Sequence, residues 1–281
     1  MCSRSMNDSP GAEPFRGGTV SENGVSLPSD LVLVVDADNT LWDTNEVFAH
    51  AQLKFLEVIE QVTGRTSAEA DRLGFIRSYD QALASRHHLH LNYPRQMLAA
   101  TLAAGLNSEP PDSAAESTLQ GRPSAHWLSE KLTNEVVAAY SQALTRVPDL
   151  LPTVRAGLEL ARARGLRVFV MTEGKVEAQR QALSTHNLDD LVENVWELPK
   201  SVAQFKRLLR RFHPAELVVV GDQPDRDCVP AHEAGCRTVL IPSRFKPHWQ
   251  SARDKGTADF IAPSFLEAME WILKYAESVS H

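Results

Sequence analysis

Cysteine is scarce in this chain, with Cys2, Cys228 and Cys236 the only three in 281 residues. An odd, sparse set without zinc-type spacing excludes a disulfide-stapled secreted scaffold and a structural zinc module, and it fits a reducing compartment. A chain of this length buries a large core without such staples. Long apolar runs are also missing, since none approaches the ~18 residues that span a bilayer. The opening stretch MCSRSMNDSPGAEPFRGGTVSENG lacks the apolar centre of a signal peptide, and its Ser, Gly, Asn and Pro content predicts a disordered tail over residues 1–27. Excess positive charge is lacking too: 29 Lys and Arg stand against 36 Asp and Glu, a formal net charge of −7. That balance argues against a protein that coats nucleic acid or anionic membrane, while leaving room for a local basic pocket. No repeat period is visible. What remains, with 43% hydrophobic and 23% charged residues, is an ordinary globular composition. We expect a cytoplasmic protein with no nucleic-acid and no membrane partner; a homodimer is left open.

The first strong element is the apolar run Leu31-Val32-Leu33-Val34-Val35, which suits a strand buried on both faces of a parallel sheet. From about Glu46 to Thr145 the pattern is helical, with stretches near 67–85, 95–104 and 125–144, and with SEPPDSAAESTLQGRP between the last two read as a polar loop. After Pro152 strands alternate with helices: runs at Arg167–Met171, Val195-Trp196, Leu217–Val220, Thr238–Ile241 and from Phe260 are each separated by a helical segment. This rhythm predicts an α/β fold with a doubly wound, Rossmann-like parallel sheet. The helical block is too long for a crossover. The expected division is a core from residues 28–44 and 150–281, with 45–149 inserted as a helical domain.

Four places carry chemistry, each just beyond the carboxyl end of a predicted strand, where open α/β sheets put function. Asp36-Ala37-Asp38-Asn39-Thr40 sets two carboxylates at a strand end, a costly arrangement to bury without a cation; an Asx-capped turn is the plainer alternative. Thr172-Glu173-Gly174 puts a hydroxyl and a glycine before a helix, where backbone N–H groups attract anions, although a simple threonine cap reads the same way. Lys200 precedes another helix and, by itself, reads as a solvated lysine. Gly221-Asp222-Gln223-Pro224-Asp225-Arg226-Asp227 is an acidic turn that either caps a helix or holds a metal.

In this order the four places resemble the motifs of the haloacid dehalogenase superfamily, matched by Asp36/Asp38/Thr40, Thr172, Lys200 and Asp222/Asp227. The resemblance covers Leu31–Asp43 and about Leu151–Ile261, and it implies a phosphatase-like member with a C1-type helical cap over residues 45–149. It implies Asp36 as the nucleophile that forms an aspartyl-phosphate, and Asp38 as general acid and base. Thr172, Glu173, Gly174 and Lys200 would bind the phosphoryl group. Asp36, Asp38 (through its carbonyl) and Asp222 would hold Mg2+, with Thr40 and Asp227 in support. Glu173 departs from the commoner asparagine or lysine. Asp38 favours phosphate esters, because the family's dehalogenases and phosphonoacetaldehyde hydrolases do not keep an aspartate there. A phosphomutase or phosphotransferase would keep the same pair, and a catalytically silent binding module is the reading from another class.

Within the insertion, Arg77, Arg86, His87, His88, His90 and Arg95 are candidate specificity residues. The cluster Arg86-His87-His88-Leu89-His90 reads either as a polar turn or as a site for an anion or a transition metal. Met97, Trp127 and Tyr140 read as cap core. Arg244, Lys246, His248 and Trp249 read as surface residues on the loop side of the sheet, within reach of substrate or a second subunit.

Overall fold

The computed structural model describes residues 31–88, 93–122, 128–243 and 258–279. The expectations for the tail 1–27, for Cys2, Leu89, His90 and Trp127, and for Arg244, Lys246, His248 and Trp249 lie outside these residues. In chain order the elements are β1 (Leu31–Val35), α1 (Thr44–Thr63), α2 (Arg72–Ala84), α3 (Arg95–Gly105), α4 (Pro111–Leu119), α5 (Glu130–Ala143) and α6 (Val154–Ala163). There follow β2 (Arg167–Thr172), α7 (Val176–Thr185), β3 (Asn194–Glu197), α8 (Val202–Phe212), β4 (Glu216–Gly221), α9 (Val229–Ala234), β5 (Arg237–Leu240), β6 (Phe260–Ile261) and α10 (Phe265–Val279).

The sheet is parallel throughout, in the order β3-β2-β1-β4-β5-β6. It is the doubly wound α/β sheet that the strand–helix rhythm predicts. Side chains alternate across a strand, and β1 is apolar at every position because both of its faces are covered. Leu31, Leu33 and Val35 join Leu158 of α6 and Met269 and Ile272 of α10 in one cluster. Val32 and Val34 join Phe205 and Leu208 of α8 and Ala231 of α9 in another. The polar ends of β1 and β4 therefore emerge together at the centre of the sheet's carboxyl edge.

Helices α1–α5 gather around a separate apolar cluster that includes Phe55, Ile59, Leu83, Leu98, Leu102 and Tyr140. Phe55 and Tyr140 meet with ring centroids 4.9 Å apart, so α1 packs on α5. Met97 lies against the same cluster. The polar stretch read as a loop contains α4 instead. Pro111 occupies its first turn, where a missing N–H costs nothing and the fixed φ suits a helix, and Ala114 and Ala115 are fully buried beneath it. Two short alanine side chains are enough to dock the helix, and they leave almost no hydrophobic periodicity to read.

The chain enters and leaves the helical segment side by side. Trp42 and Leu150 form an antiparallel bridge, Asp43 N donates to Asp149 O at 2.9 Å, and Leu151 N donates to Leu41 O at 2.9 Å. No described helix is long and apolar enough to cross a membrane.

Candidate active site

Asp36 follows the last residue of β1 and keeps the ladder, donating its N–H to Val220 O at 2.8 Å. The chain then turns tightly. Asn39 takes a left-handed φ of 62°, which asparagine tolerates better than most residues, and Leu41 N donates to Ala37 O at 2.8 Å. The turn brings Thr40 back over Asp36, so that its Oγ1 donates to Asp36 Oδ2 at 3.1 Å. Asp36 Oδ1 is held by the Lys200 ammonium, which reaches in from the loop after β3.

Lys200 also lies 2.6 Å from Asp227 Oδ1. Asp227 Oδ2 accepts from Gln223 N at 3.0 Å, which fixes the acidic turn after β4. Gly221 makes this turn possible: a Cβ there would lie 2.2 Å from Asp227 Cγ. Carboxylate oxygens of Asp36, Asp222 and Asp227 lie within 4.8 Å of one another, and all three residues are buried. Asp222 Oδ1 has no hydrogen-bond partner. Three buried carboxylates around one ammonium leave negative charge uncompensated, and with an orphaned carboxylate oxygen among them the set suits a hard divalent cation.

The electrostatics record the same deficit. Burial pushes the Asp36 carboxyl up to about 7; Lys200 offsets part of this, while Asp227 and Asp38 add to it. Burial, then repulsion from Asp36 and Asp227, raises Asp222 to about 9. Burial alone would lower Lys200, but the two carboxylates beside it hold its pKa above the ordinary lysine value.

Asp38, half-buried, has partners of its own. Thr44 Oγ1, from the first residue of α1, donates to Asp38 Oδ1 at 2.8 Å. Gln179 Nε2, from α7, lies 3.4 and 3.3 Å from the two carboxylate oxygens. Neither Thr44 nor Gln179 is legible in the sequence as part of a site, because neither titrates and Gln179 stands 141 residues away. The Thr172–Gly174 turn lies alongside: a Cβ on Gly174 would sit 3.3 Å from Thr172 Oγ1 and 3.6 Å from Asp38 Oδ2. Thr172 is buried, and its hydroxyl accepts from Gly174 N at 2.9 Å.

The helix after this turn is already capped. It starts at Val176, whose N–H donates to Glu197 Oε2 at 3.1 Å, so a carboxylate from β3 takes up part of its N-terminal field. Glu173, the departure from the commoner pattern, faces sideways: Oε1 accepts the Lys200 backbone N–H at 3.1 Å, and Oε2 pairs with Arg226. One side chain thus ties together the loops that carry Thr172, Lys200 and Asp227. Its pKa is lowered, because the bonds from Arg226 and the Lys200 N–H outweigh the effect of burial.

The remaining candidates stand apart from this cluster. Arg77 lines a cleft of about 1130 Å³ between α1, α2 and the ends of β5 and α10, which Asn39 and Thr40 also border. Arg86 pairs with Asp112 of α4 at 2.9 Å. His87 is buried and stacks on His88 with centroids 4.5 Å apart. Arg95 lies over the Tyr140 ring, 5.0 Å from its centroid.

Comparison with curated proteins returns no match. Among solved structures, a haloacid dehalogenase-like family hydrolase from Xanthomonas campestris is 18% identical with a TM-score of 0.55, covering 89% of this chain and 98% of its own. A predicted phosphoglycolate phosphatase from Haemophilus somnus is also 18% identical, with a TM-score of 0.56 over 86% of this chain and 97% of its own. The putative HAD-hydrolase YfnB from Bacillus subtilis, bound to magnesium, is 15% identical with a TM-score of 0.55 over 87% and 99%. At such identities these likenesses speak to the fold. The sequence itself matches the family model for haloacid dehalogenase-like hydrolases over residues 31–235, from β1 through the acidic turn to the end of α9, and the chain belongs to that family.

Proposed function

We propose that this hydrolase cleaves phosphate monoesters of small molecules through an aspartyl-phosphate on Asp36. The observation that carries the reading is the placement of Asp38. Its carboxylate stands outside the acid cluster, beside the Thr172–Gly174 turn, held by Thr44 and Gln179. A nucleophile buried against Lys200 and a second carboxylate positioned for proton transfer are what a poor alkoxide leaving group requires.

In this reading an oxygen of Asp36 attacks phosphorus, the ester P–O bond breaks, and the departing alkoxide takes a proton from Asp38. Water then attacks the aspartyl-phosphate and gives a proton to Asp38. The acyl-phosphate P–O bond breaks, which restores the Asp36 carboxylate and releases inorganic phosphate. Lys200 and Thr172 bind the phosphoryl oxygens, with the Glu173–Gly174 turn beside them. Asp36, Asp222 and the Asp38 carbonyl would hold Mg2+, which when bound supplies positive charge against the phosphate dianion. Asp227 orients Lys200 and the turn. Helices α1–α5 serve as a cap over this site.

The test is incubation of the purified chain with 4-nitrophenyl phosphate, with and without Mg2+, measuring both the phenol and free phosphate. Stoichiometric release of both, dependent on Mg2+, is expected. Release of the phenol with lasting transfer of the phosphoryl group to an added alcohol would replace hydrolysis by phosphotransfer. Turnover of 2-haloacids with none of phosphate esters would sink the proposal.

A further inference from the structure

Beside Asp38 lies a groove of about 390 Å³ between the start of α1, the segment Leu144–Pro148 that returns from the helical block, and α7. Asp38, Thr44 and Gln179 form its polar end, while Phe48, Leu144 and Val147 are among its apolar walls. Phe48 is 41% exposed, one of the few large apolar side chains left in solvent among the described residues. Among the described residues the one cation on the lining, Arg146, is committed elsewhere, 2.8 Å from Asp149 and 3.5 Å from Glu46. The larger cleft that holds Arg77 borders none of Asp36, Asp38, Thr172, Lys200 or Asp222.

The geometry points to this groove as the seat of the leaving alcohol, and to an uncharged alcohol with an apolar face as the substrate class. The inference rests on the phosphatase reading in one respect, the role of Asp38. An oxygen that receives a proton from Asp38 must sit against it, and the rest of the alcohol then extends along the groove. Phe48 and Val147 offer contact area and no hydrogen bonds. Asp38 and Glu177 make the lining net negative once Arg146 is paired. A second phosphate or a carboxylate on the alcohol would therefore meet repulsion there.

Binding of methyl-, butyl- and hexylphosphonate, measured by calorimetry with Mg2+ present, tests the groove without turnover. Affinity should rise with chain length by up to roughly fourfold per methylene, and Phe48→Ala should flatten that rise while Phe48→Leu keeps most of it. Affinity independent of chain length, absence of binding, or tighter binding of a phosphonate with a second anionic group would overturn the inference. The matching alkyl phosphates, assayed for free phosphate, report separately on hydrolysis. A rising phosphonate series without turnover would keep the groove and remove the phosphatase, and a flat series with turnover would do the reverse.

Discussion

At the scale of single residues, the two leading aspartates divide one problem. Asp36 is buried and gripped on both oxygens by Thr40 and Lys200, whereas Asp38 is held by two neutral donors at a groove. Asp36→Asn should abolish turnover, since an amide cannot form the acyl-phosphate. Asp38→Asn should keep the fold and slow alkyl phosphate hydrolysis by about 10²–10⁴-fold. With aryl phosphates, whose leaving groups scarcely need a proton, it should give a burst of phenol followed by slow release of phosphate. Rapid-quench kinetics check this, and equal, complete inactivation of both variants without a burst would contradict the division. Asp36, Asp38 and Asp222 stood out in the sequence because charge at a strand end is conspicuous, whereas Thr172 and Lys200 stood out only through the order of the four places and the resemblance it carries. Thr44 and Gln179 did not, because a neutral side chain acquires its role only when the fold brings it to a carboxylate.

At the scale of elements, the site depends on loops held to one another. Glu173 bridges the Lys200 backbone and the Arg226 guanidinium. Its ion pair is partly exposed and contributes little stability, but the bond to the Lys200 N–H fixes where that lysine starts. Glu173→Ala should raise KM for aryl phosphate by about tenfold or less with Tm nearly unchanged, and Glu173→Gln, which keeps an acceptor, should recover part of the loss. A fall in Tm with no change in KM would assign the residue a structural role only. The strands could be read from sequence because burial on both faces writes them as unbroken apolar runs, as in Leu31–Val35. Helix α4 could not, since two buried alanines among Ser, Glu and Pro carry too weak a pattern.

At the scale of the whole molecule, the carboxylate cluster makes stability depend on pH and metal together. Asp36 and Asp222 titrate near 7 and 9 in the metal-free fold, against 3.8 in an open chain. Between about pH 4 and 9 the folded state therefore holds more protons than the unfolded one, and metal-free stability falls as pH rises through that window. A cation that favours the ionised carboxylates opposes the trend. Thermal melts should show Tm decreasing from about pH 5 to 9 without metal, and a larger gain from Mg2+ at the alkaline end. A gain independent of pH would contradict the cluster's part in binding the ion.

The bridge between Trp42 and Leu150 has a further implication for how such a protein can be rebuilt. The two segments of the neck are hydrogen-bonded neighbours, so topologically the described helices α1–α5 lie in a loop whose ends are paired, as in a hairpin. A hairpin's ends stay paired whether the loop is long or short, and the entropy of closure changes only slowly with length. A chain shortened from Asp43 to Asp149 through a tight Asn-Gly turn should therefore fold as the bare sheet domain, detectable by circular dichroism and a single cooperative melt. It should accept phosphate donors without regard to the size of the alcohol, because the wall carrying Phe48 is gone while Asp36, Thr172, Lys200 and Asp222 stay on the sheet. Helical segments from other sources, set on the same two neck segments, would then act as interchangeable selectors above one reaction centre.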